Sequence, residues 1–447
     1  MRFPLAAALL CASGSLLLAP AASRADWLQP DGSYREAQLI LKMAARDTAG
    51  HGDDPGRLDS LGVALLRLGR LAEARKVFQR SLALRPADDG ARASLGKLAL
   101  FDDRLSEAES LLAGVQDDAG ALHDLMAARV RRGEYAAAAE MAGDVDQEGR
   151  TALLERMAEG PIYQVTAGPD RIDLPWTRAY PVPLVRVKLN GQSVLMALDT
   201  GSSDLLIDES AARRYRVDRV PGQRIEFWSG SRVAVRNAMA QRLEIGAFRI
   251  ERLPAGTLSL RKWSIEVNPQ SEPAVGVIGL NLMRRFTPTM DFKNQRLELR
   301  RPGVRFAAAE GAARVPFQIW GENELTVYGS LAGSRKMAMV VQSGVPYCGV
   351  GAPAEVFDEI GVKAGAMSRL VKGAGQWLQG RPWASVTVPT VTVGAVVKDK
   401  VPGWLGALDS GELWRHGVRR DALLSSDFFR GRRVTIDWSA HELVFEE

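Results

Sequence analysis

Cysteine is nearly absent from this chain. Only two of its 447 residues are cysteine. Cys11 lies in the N-terminal segment that we interpret below as a cleaved leader, and the residue before it, Leu10, is not the small residue that leaders of lipid-anchored proteins carry there. Cys348 is therefore the one thiol expected in the mature chain, which excludes an internal disulfide framework. A single cysteine beside Tyr347 is better explained as a small packed residue than as a catalytic thiol.

Histidine is scarce as well, and the four residues stand far apart: His51, His123, His416 and His441. None has the His-Glu-x-x-His spacing that places two imidazoles on one helix face, so we predict no metal site. The phosphate-binding loop Gly-x-x-x-x-Gly-Lys, a dinucleotide-binding fingerprint and the serine-hydrolase motif Gly-x-Ser-x-Gly are missing too. The sequence therefore predicts no cofactor.

A strong excess of one charge and long apolar runs are lacking beyond the N-terminus. The formal charge is only +5, which does not indicate a nucleic-acid partner. The exception is the start of the chain, where Arg2 precedes the apolar segment Leu5–Leu18 and the small-residue segment Ala19–Ala25. This pattern predicts a secretory leader over residues 1–25 and export, with the bacterial periplasm as the expected compartment. No later apolar run is long enough to span a membrane.

Residues 34–158 have a helical pattern that repeats. The same residue types recur 34 positions apart, first as Leu61-Gly62, Ala74 and Phe78 and then as Leu95-Gly96, Ala108 and Leu112. This spacing resembles tetratricopeptide repeats, in which small residues let neighbouring helices approach closely. The resemblance implies a scaffold that recruits a protein partner or substrate.

The pattern changes near Tyr163, where short β runs separated by Gly, Pro, Asn and Asp replace the helical period. Asn190-Gly191 between two apolar runs predicts a hairpin. Gly279 and Asp291 lie twelve positions apart, and Ser425 and Asp437 repeat that spacing 146 positions later. The duplication predicts two similar lobes, over residues 175–301 and 313–447. We expect both aspartates to cap turns by hydrogen bonds to the backbone.

The chemistry of the first lobe is indicated by Asp199-Thr200-Gly201-Ser202, which follows an apolar strand. With the downstream Val277-Ile278-Gly279, this motif resembles the retropepsin-like and pepsin-like aspartic proteases. The resemblance implies a bilobal all-β fold after an all-α repeat domain, a polypeptide substrate, and Asp199 as one of two carboxyls that share a proton. It also implies that Thr200 locks two catalytic loops together, that Gly201 allows a tight turn, and that Ser202 supports the outer oxygen of Asp199.

A hairpin flap that closes over substrate is a further implication of the resemblance. The candidate in the first lobe is Trp228-Ser229-Gly230-Ser231, between two strand-like runs. Its candidate counterpart in the second lobe is Gly373-Ala374-Gly375.

The second lobe departs from the family pattern at the decisive position. Met339–Gly344 matches Met196–Gly201 at an offset of 143 positions, and it ends in Gln342-Ser343-Gly344. Gln342 stands where the partner aspartate belongs, and an amide cannot share or transfer the proton. Asp409-Ser410-Gly411 matches the residue types of the family's aspartate motif, but no full apolar strand precedes it. We therefore attribute this triplet to chance.

Three functional hypotheses follow from this half-complete acid pair. The chain is a peptidase that works with Asp199 and Gln342, or two chains pair through their first lobes to form an Asp199/Asp199 site. In the third hypothesis it is an inactive pseudo-peptidase that binds extended peptide by strand-like hydrogen bonds and serves as an adaptor in the cell envelope. We favour an aspartic-type peptidase.

Overall fold

The computed structural model describes residues 34–51, 54–115, 118–145, 147–228, 231–269, 272–364, 384–408 and 413–447. The predicted leader, the second-lobe flap candidate Gly373-Ala374-Gly375 and the triplet Asp409-Ser410-Gly411 lie outside these ranges. No helix within them is long and apolar enough to cross a membrane.

The predicted helical region over residues 34–158 is confirmed. Its elements are α1 (Tyr34–His51), α2 (Pro55–Arg67), α3 (Leu71–Leu84), α4 (Asp89–Phe101), α5 (Leu105–Leu112), α6 (Ala119–Arg132), α7 (Tyr135–Glu140), a 3-10 turn (Glu148–Arg150) and α8 (Thr151–Ala158). Asp54 and Asp88, 34 positions apart, cap α2 and α4 by accepting hydrogen bonds from the backbone N–H groups of Arg57 and Ala91. The repeat seen in the sequence is thus also a repeat of helix starts.

Two glycines explain why the repeat needs small residues. A Cβ on Gly62 would lie 2.5 Å from the ring of Phe78, and a Cβ on Gly96 would lie 2.5 Å from Cγ of Leu112. Phe78 and Leu112 are fully buried at these contacts. Each glycine therefore lets one helix of a pair approach the large side chain of the next helix.

Adding one methyl group at this contact is expected to destabilise the repeats. Gly96→Ala should lower the free energy of unfolding by about 1–3 kcal/mol, because overpacking a filled core forces its neighbours to move. The matched control is Gly90→Ala in the exposed first turn of the same helix, where the new Cβ would meet only Asp88 Oδ1 at 3.4 Å. Alanine there should stabilise the helix by up to about 1 kcal/mol. Thermal unfolding that ranks the two variants in the opposite order would contradict this packing argument.

The first lobe is built from eleven strands and three short helices. The strands are β1 (Gln164–Ala167), β2 (Arg171–Pro175), β3 (Leu184–Leu189), β4 (Gln192–Leu198), β5 (Leu205–Asp208), β6 (Asp218–Trp228), β7 (Ser231–Ile245), β8 (Phe248–Leu258), β9 (Ala274–Ile278), β10 (Thr287–Asp291) and β11 (Arg296–Arg300). The helices are α9 (Glu209–Arg214), α10 (Arg261–Val267) and α11 (Leu280–Met283). The predicted hairpin joins β3 to β4, and both turn residues, Asn190 and Gly191, have positive φ. The strands begin before the predicted boundary at residue 175, since β1 and β2 both start N-terminal to it.

The described residues of the second lobe repeat this plan. Their strands are β12 (Ala313–Trp320), β13 (Glu324–Leu331), β14 (Met337–Val341), β15 (Val350–Ala352), β16 (Ala384–Val393), β17 (Val396–Leu405), β18 (Ala422–Leu424), β19 (Arg433–Asp437) and β20 (Glu442–Glu446). Their short helices are α12 (Ala354–Glu359) and α13 (Ser426–Phe429).

Strand pairing confirms the predicted duplication. In the first lobe β4 runs parallel to β9, β5 pairs with β9 and β8, and β3 joins β4 to β7. In the second lobe β14, β18, β15, β17, β13 and β16 pair in the same pattern. Asp291 and Asp437 cap equivalent turns, as predicted, by accepting backbone N–H groups from Asn294 and Ser439 among others.

A shared sheet joins the two lobes, in the order β12-β20-β19-β10-β11-β2. At its centre β10 pairs with β19, and the hydroxyls of Thr289 and Thr435 bond to each other at 2.7 Å. These threonines are 146 positions apart, which is the offset of the sequence duplication. The two lobes are therefore related by a pseudo-two-fold axis near this contact, which brings equivalent loops of the lobes together.

The helical repeats pack directly on the second lobe. Phe101 at the end of α4 stacks on Trp320 with ring centroids 5.0 Å apart. Arg131 of α6 donates to the carbonyl oxygens of Ile319 and Gly321 at 3.2 and 3.1 Å. The apolar core of the repeats continues through this contact to Trp320 of β12, Ala338 of β14 and Val418. This packing fixes the repeats against the second lobe.

Candidate active site

The loop that carries Asp199 starts where β4 ends and is held by the neighbouring parallel strand. The backbone N–H of Asp199 donates to the carbonyl oxygen of Ile278 at 3.1 Å. In the second lobe Gln342 follows β14 in the same way, and its N–H donates to the carbonyl oxygen of Leu424 at 2.8 Å. Asp199 and Gln342 thus each follow a strand and donate a backbone N–H to the neighbouring parallel strand.

Hydroxyl groups lock the two loops to each other. Thr200 Oγ1 donates to the carbonyl oxygen of Val341 at 2.8 Å and accepts the N–H of Ser343 at 3.1 Å. Ser343 Oγ makes the reciprocal pair of bonds: it donates to the carbonyl oxygen of Leu198 at 3.1 Å and accepts the N–H of Thr200 at 3.1 Å. All four bonds are buried. The geometry agrees with the locking role that the family resemblance implied for Thr200.

Two glycines let the loops pass close to each other. A Cβ on Gly344 would lie 2.2 Å from Cγ of Asp199, and a Cβ on Gly201 would lie 2.6 Å from Cγ of Gln342. The side chain of Asp199 therefore lies against the second-lobe loop, and that of Gln342 lies against the first-lobe loop. Any larger residue at either glycine would push one of these side chains away.

The electrostatics of Asp199 are those of an isolated buried acid. Its Oδ1 accepts the backbone N–H groups of Gly201 at 2.8 Å and Gly344 at 3.0 Å. The residue is only 8% exposed, and burial raises the pKa of its carboxyl although the two N–H groups act in the opposite direction. Raised pKa values usually mark acids that are kept out of water for chemistry or binding.

Two serines at the site bond to backbone groups. Ser202 Oγ donates to the carbonyl oxygen of Asp204 at 3.2 Å, and not to the outer oxygen of Asp199 as the family resemblance implied. Ser425, which replaces the equivalent of Gly279, donates to the carbonyl oxygen of Val345 and accepts its N–H, at 3.0 and 3.2 Å.

The flap candidate lies on a long hairpin. Strands β6 and β7 pair in antiparallel fashion up to Trp228 and Ser231, while Ser229-Gly230 fall outside the described residues. Ile225 on β6 is 59% exposed. The hairpin agrees with the flap prediction, and its closure over substrate stays a prediction.

A buried polar cluster behind the motif was missed by the sequence analysis. Asp204 Oδ1 accepts hydrogen bonds from the Tyr163 hydroxyl at 2.5 Å and from Asn281 Nδ2 at 2.9 Å. Burial, together with the negative charge of Asp204, raises the pKa of Tyr163 well above its ordinary value. Tyr163 also connects the end of the helical region to the catalytic loop. Asp204 follows the motif closely, but no sequence spacing indicated Tyr163 as its partner.

The thiol and imidazole groups occupy structural positions where they are described. Cys348 is fully buried, and burial raises the pKa of its thiol, as expected for a packed residue. His416 contacts Glu324 at 3.2 Å and His441 contacts Asp103 at 3.2 Å. Within the described ranges, no group of three or more His, Cys, Asp or Glu residues is arranged to hold a metal ion.

Comparison with known proteins agrees with this geometry. Residues 185–282 match the family model of aspartyl proteases, and the β-rich part of the chain has the aspartic-protease fold. A retropepsin-like aspartic protease from Rickettsia conorii is 14% identical, with a TM-score of 0.21, and the match covers 31% of this chain and 95% of that one. Basic 7S globulin from soybean is 11% identical (TM-score 0.35; 64% and 95% covered), and an aspartic proteinase from Irpex lacteus is 13% identical (TM-score 0.39; 62% and 96% covered). No curated protein matches the sequence.

Proposed function

We propose that this exported protein binds extended polypeptide in the cleft between its lobes and hydrolyses peptide bonds with Asp199 as its single catalytic carboxylate. The observation that carries the proposal is the intact pair of loops around Asp199. Gly201, Gly344 and the hydrogen bonds between Thr200 and Ser343 are all present. Gln342 stands where the family would have its second acid. Asp199 is also buried, and burial raises the pKa of its carboxyl, as occurs at many functional acids.

The chemistry requires one base and one hydrogen-bond donor. Ionised Asp199 takes a proton from water as the water oxygen forms its bond to the peptide carbonyl carbon. The side-chain amide of Gln342 donates to the carbonyl oxygen, on which negative charge develops. Asp199 then passes the proton to the leaving nitrogen as the C–N bond breaks. One carboxyl therefore serves as base and then as acid.

Recruitment of a protein partner or substrate is the role we propose for the helical repeats, in the bacterial periplasm. Tetratricopeptide-like repeats present binding surfaces of this kind. Their packing against the second lobe, through Phe101 and Arg131, supports a shared polypeptide ligand.

The second candidate function is that of a pseudo-peptidase adaptor, which the Gln342 replacement favours. In this case the cleft binds peptide through strand-like hydrogen bonds and does not cut it. The third hypothesis, a site formed by two chains, is disfavoured because Gly344 of the same chain already lies against Asp199.

Purified mature protein, assayed on denatured proteins and peptide libraries from about pH 3 to pH 7 beside Asp199→Ala, separates these functions. We expect cleavage by the wild type and a loss of at least about 100-fold in the variant, the usual contribution of a general base. Cleavage that survives unchanged in the variant would exclude the aspartyl mechanism. Binding without cleavage in both proteins would establish the adaptor.

The pH dependence of cleavage has a definite sign. Since the active form has Asp199 ionised, kcat/KM should rise with pH through the pKa of this carboxyl, which burial raises above its ordinary value. A plateau should follow, because no second carboxylate has to stay protonated. A bell-shaped profile in the acid range would instead indicate a second acid in the reaction.

A further inference from the structure

A cavity of about 730 Å³ lies where the helical repeats meet both lobes. Its first-lobe wall contains Ser203 and Asp204, directly after the catalytic motif, and residues 223–226 of the flap strand β6. Its second-lobe wall is the turn 320–324 between β12 and β13, and helices α4 and α6 form the third wall. Ligand sites in proteins commonly have about 300–1,000 Å³. The cavity thus lies directly beside the residues that follow the Asp199 motif.

Specific contacts fix the helical wall in place. Arg150 of the 3-10 turn forms a two-pronged ion pair with Glu322, with N–O distances of 2.5 and 3.0 Å. The carbonyl oxygen of Gly149 accepts a hydrogen bond from Asn237 Nδ2 at 2.6 Å. Arg150 therefore ties the repeats to the second lobe, while Gly149 ties them to the flap hairpin of the first lobe. The junction holds all three parts around one space.

Most charged groups of the cavity are matched in pairs. Lys97 and Asp124, both from the helical repeats, lie 2.8 Å apart, and the walls from the lobes also carry ion pairs, namely Arg224–Glu226 and Arg415–Glu324. A ligand with a large net charge would gain little from walls in which most charges are already compensated. The lining instead suits a polar ligand with little net charge.

Buried N–H donors in the cavity lining lack an acceptor among the described residues. They include Arg224 Nη2, Asn323 Nδ2 and Arg150 Nε. The Arg224 side chain is only 9% exposed, and its Nε pairs with Glu226 while its Nη2 lies 3.9 Å from the Asp204 carboxylate. A buried donor without a partner costs about 1–3 kcal/mol. Carbonyl oxygens of a peptide backbone would satisfy such groups.

We propose that this cavity binds a polar segment, of little net charge, of the same polypeptide that occupies the cleft, and that the helical repeats form one wall of the site. The inference rests on the proposed function and changes the role of the repeats within it. They contact the ligand beside the reacting bond instead of only recruiting it from a distance. An extended chain that leaves the cleft past Asp204 reaches the cavity within a few residues, at about 3.3 Å per residue.

Labelled mixed-sequence peptides of about 12 residues test the proposal, since they are long enough to span cleft and cavity. Their binding is measured by fluorescence polarisation on the full mature chain carrying Asp199→Ala, and the tightest binder becomes the reference peptide.

In that background His123→Trp, which fills the cavity from an exposed position on α6, should weaken binding about tenfold or more. Asn323→Ala should weaken it up to about tenfold, the value of one hydrogen bond. Gln79→Trp, at an exposed site on α3 outside the cavity, is the matched control and should leave affinity unchanged.

The outcomes separate the two proposals. Unchanged affinity in both cavity variants overturns the inference and leaves the proposed function standing. A similar loss in Gln79→Trp would also overturn it, because the effect would then be general to the helical surface. If no peptide binds at all, the proposed function itself fails. Photo-crosslinking groups placed along the reference peptide should mark residues 120–127 and 320–324, and marks confined to the two lobes would exclude the helical wall.

Discussion

Replacing Gln342 with aspartate is expected to raise the rate of peptide hydrolysis by about 100-fold or more. The loop that carries Gln342 already has the backbone of a catalytic loop, because its N–H is bonded to Leu424 and Gly344 leaves room for Asp199. An aspartate there would face Asp199, and two carboxyls at such a distance share one proton. The pair then has an acid and a base at the same time. General acid–base catalysis of this kind raises reaction rates by about 10²–10⁴-fold.

The pH profile of this variant should change in shape as well as height. A pair with one shared proton is active between two ionisations, so Gln342→Asp should give a bell-shaped profile at acid pH where the wild type gives a single rising limb. Gln342→Asn is the matched control, since it has the length of aspartate without its charge. Equal gains in the two variants would mean that side-chain length, and not the second acid, limits the wild type. No gain with aspartate would show that Ser425 or the loop around it holds position 342 away from Asp199.

Removing the Thr200 hydroxyl is expected to have the largest effect on stability. Thr200→Val keeps the shape of the side chain but leaves the carbonyl oxygen of Val341 and the N–H of Ser343 without their buried partner. Each unsatisfied buried group costs about 1–3 kcal/mol, so the free energy of unfolding should fall by about 2–6 kcal/mol for the two groups. Because the same bonds hold the two loops together, cleavage and peptide binding should fall too.

Thr200→Ser is the control for this variant, since it keeps the hydroxyl and copies the residue that Ser343 supplies to the same lock. We expect it to lose less than about 1 kcal/mol, mainly from the missing methyl group. Denaturant unfolding measures both variants. Equal losses for valine and serine would show that packing of the methyl group, and not the hydroxyl, stabilises the junction.

Local patterns in the sequence determined much of the fold. The 34-residue period of small and large apolar residues predicted the helical region, and the structure shows Gly96 against Leu112 where that period requires it. The offset of 146 positions predicted two lobes related by symmetry, and Thr289 and Thr435 meet at that offset. Such repeats are visible in the sequence because equivalent positions make the same local packing contacts, so the same residue types recur there.

Contacts between distant segments were decided only by the tertiary structure. The ion pair of Arg150 with Glu322 spans 172 positions, and the bond from Tyr163, which directly precedes β1, to Asp204 spans 41 positions. Neither pair has a spacing that marks it, because a charged or hydroxyl side chain has many candidate partners in the chain. The hydrogen bond from Ser202 to the carbonyl oxygen of Asp204 could not be predicted for a related reason, since the direction of a hydroxyl depends on the backbone of its loop.

The amino-acid sequence by itself therefore determined the class of fold, and it predicted Asp199 as the candidate acid and Gln342 as its counterpart. Periodicity and duplication are properties of the chain and need no coordinates to be seen. The tertiary structure decided how the two loops lock, how burial raises the pKa of Asp199, and that the repeats meet both lobes around one cavity. These depend on which surfaces come into contact when the chain folds, and that choice is made by packing over the whole molecule.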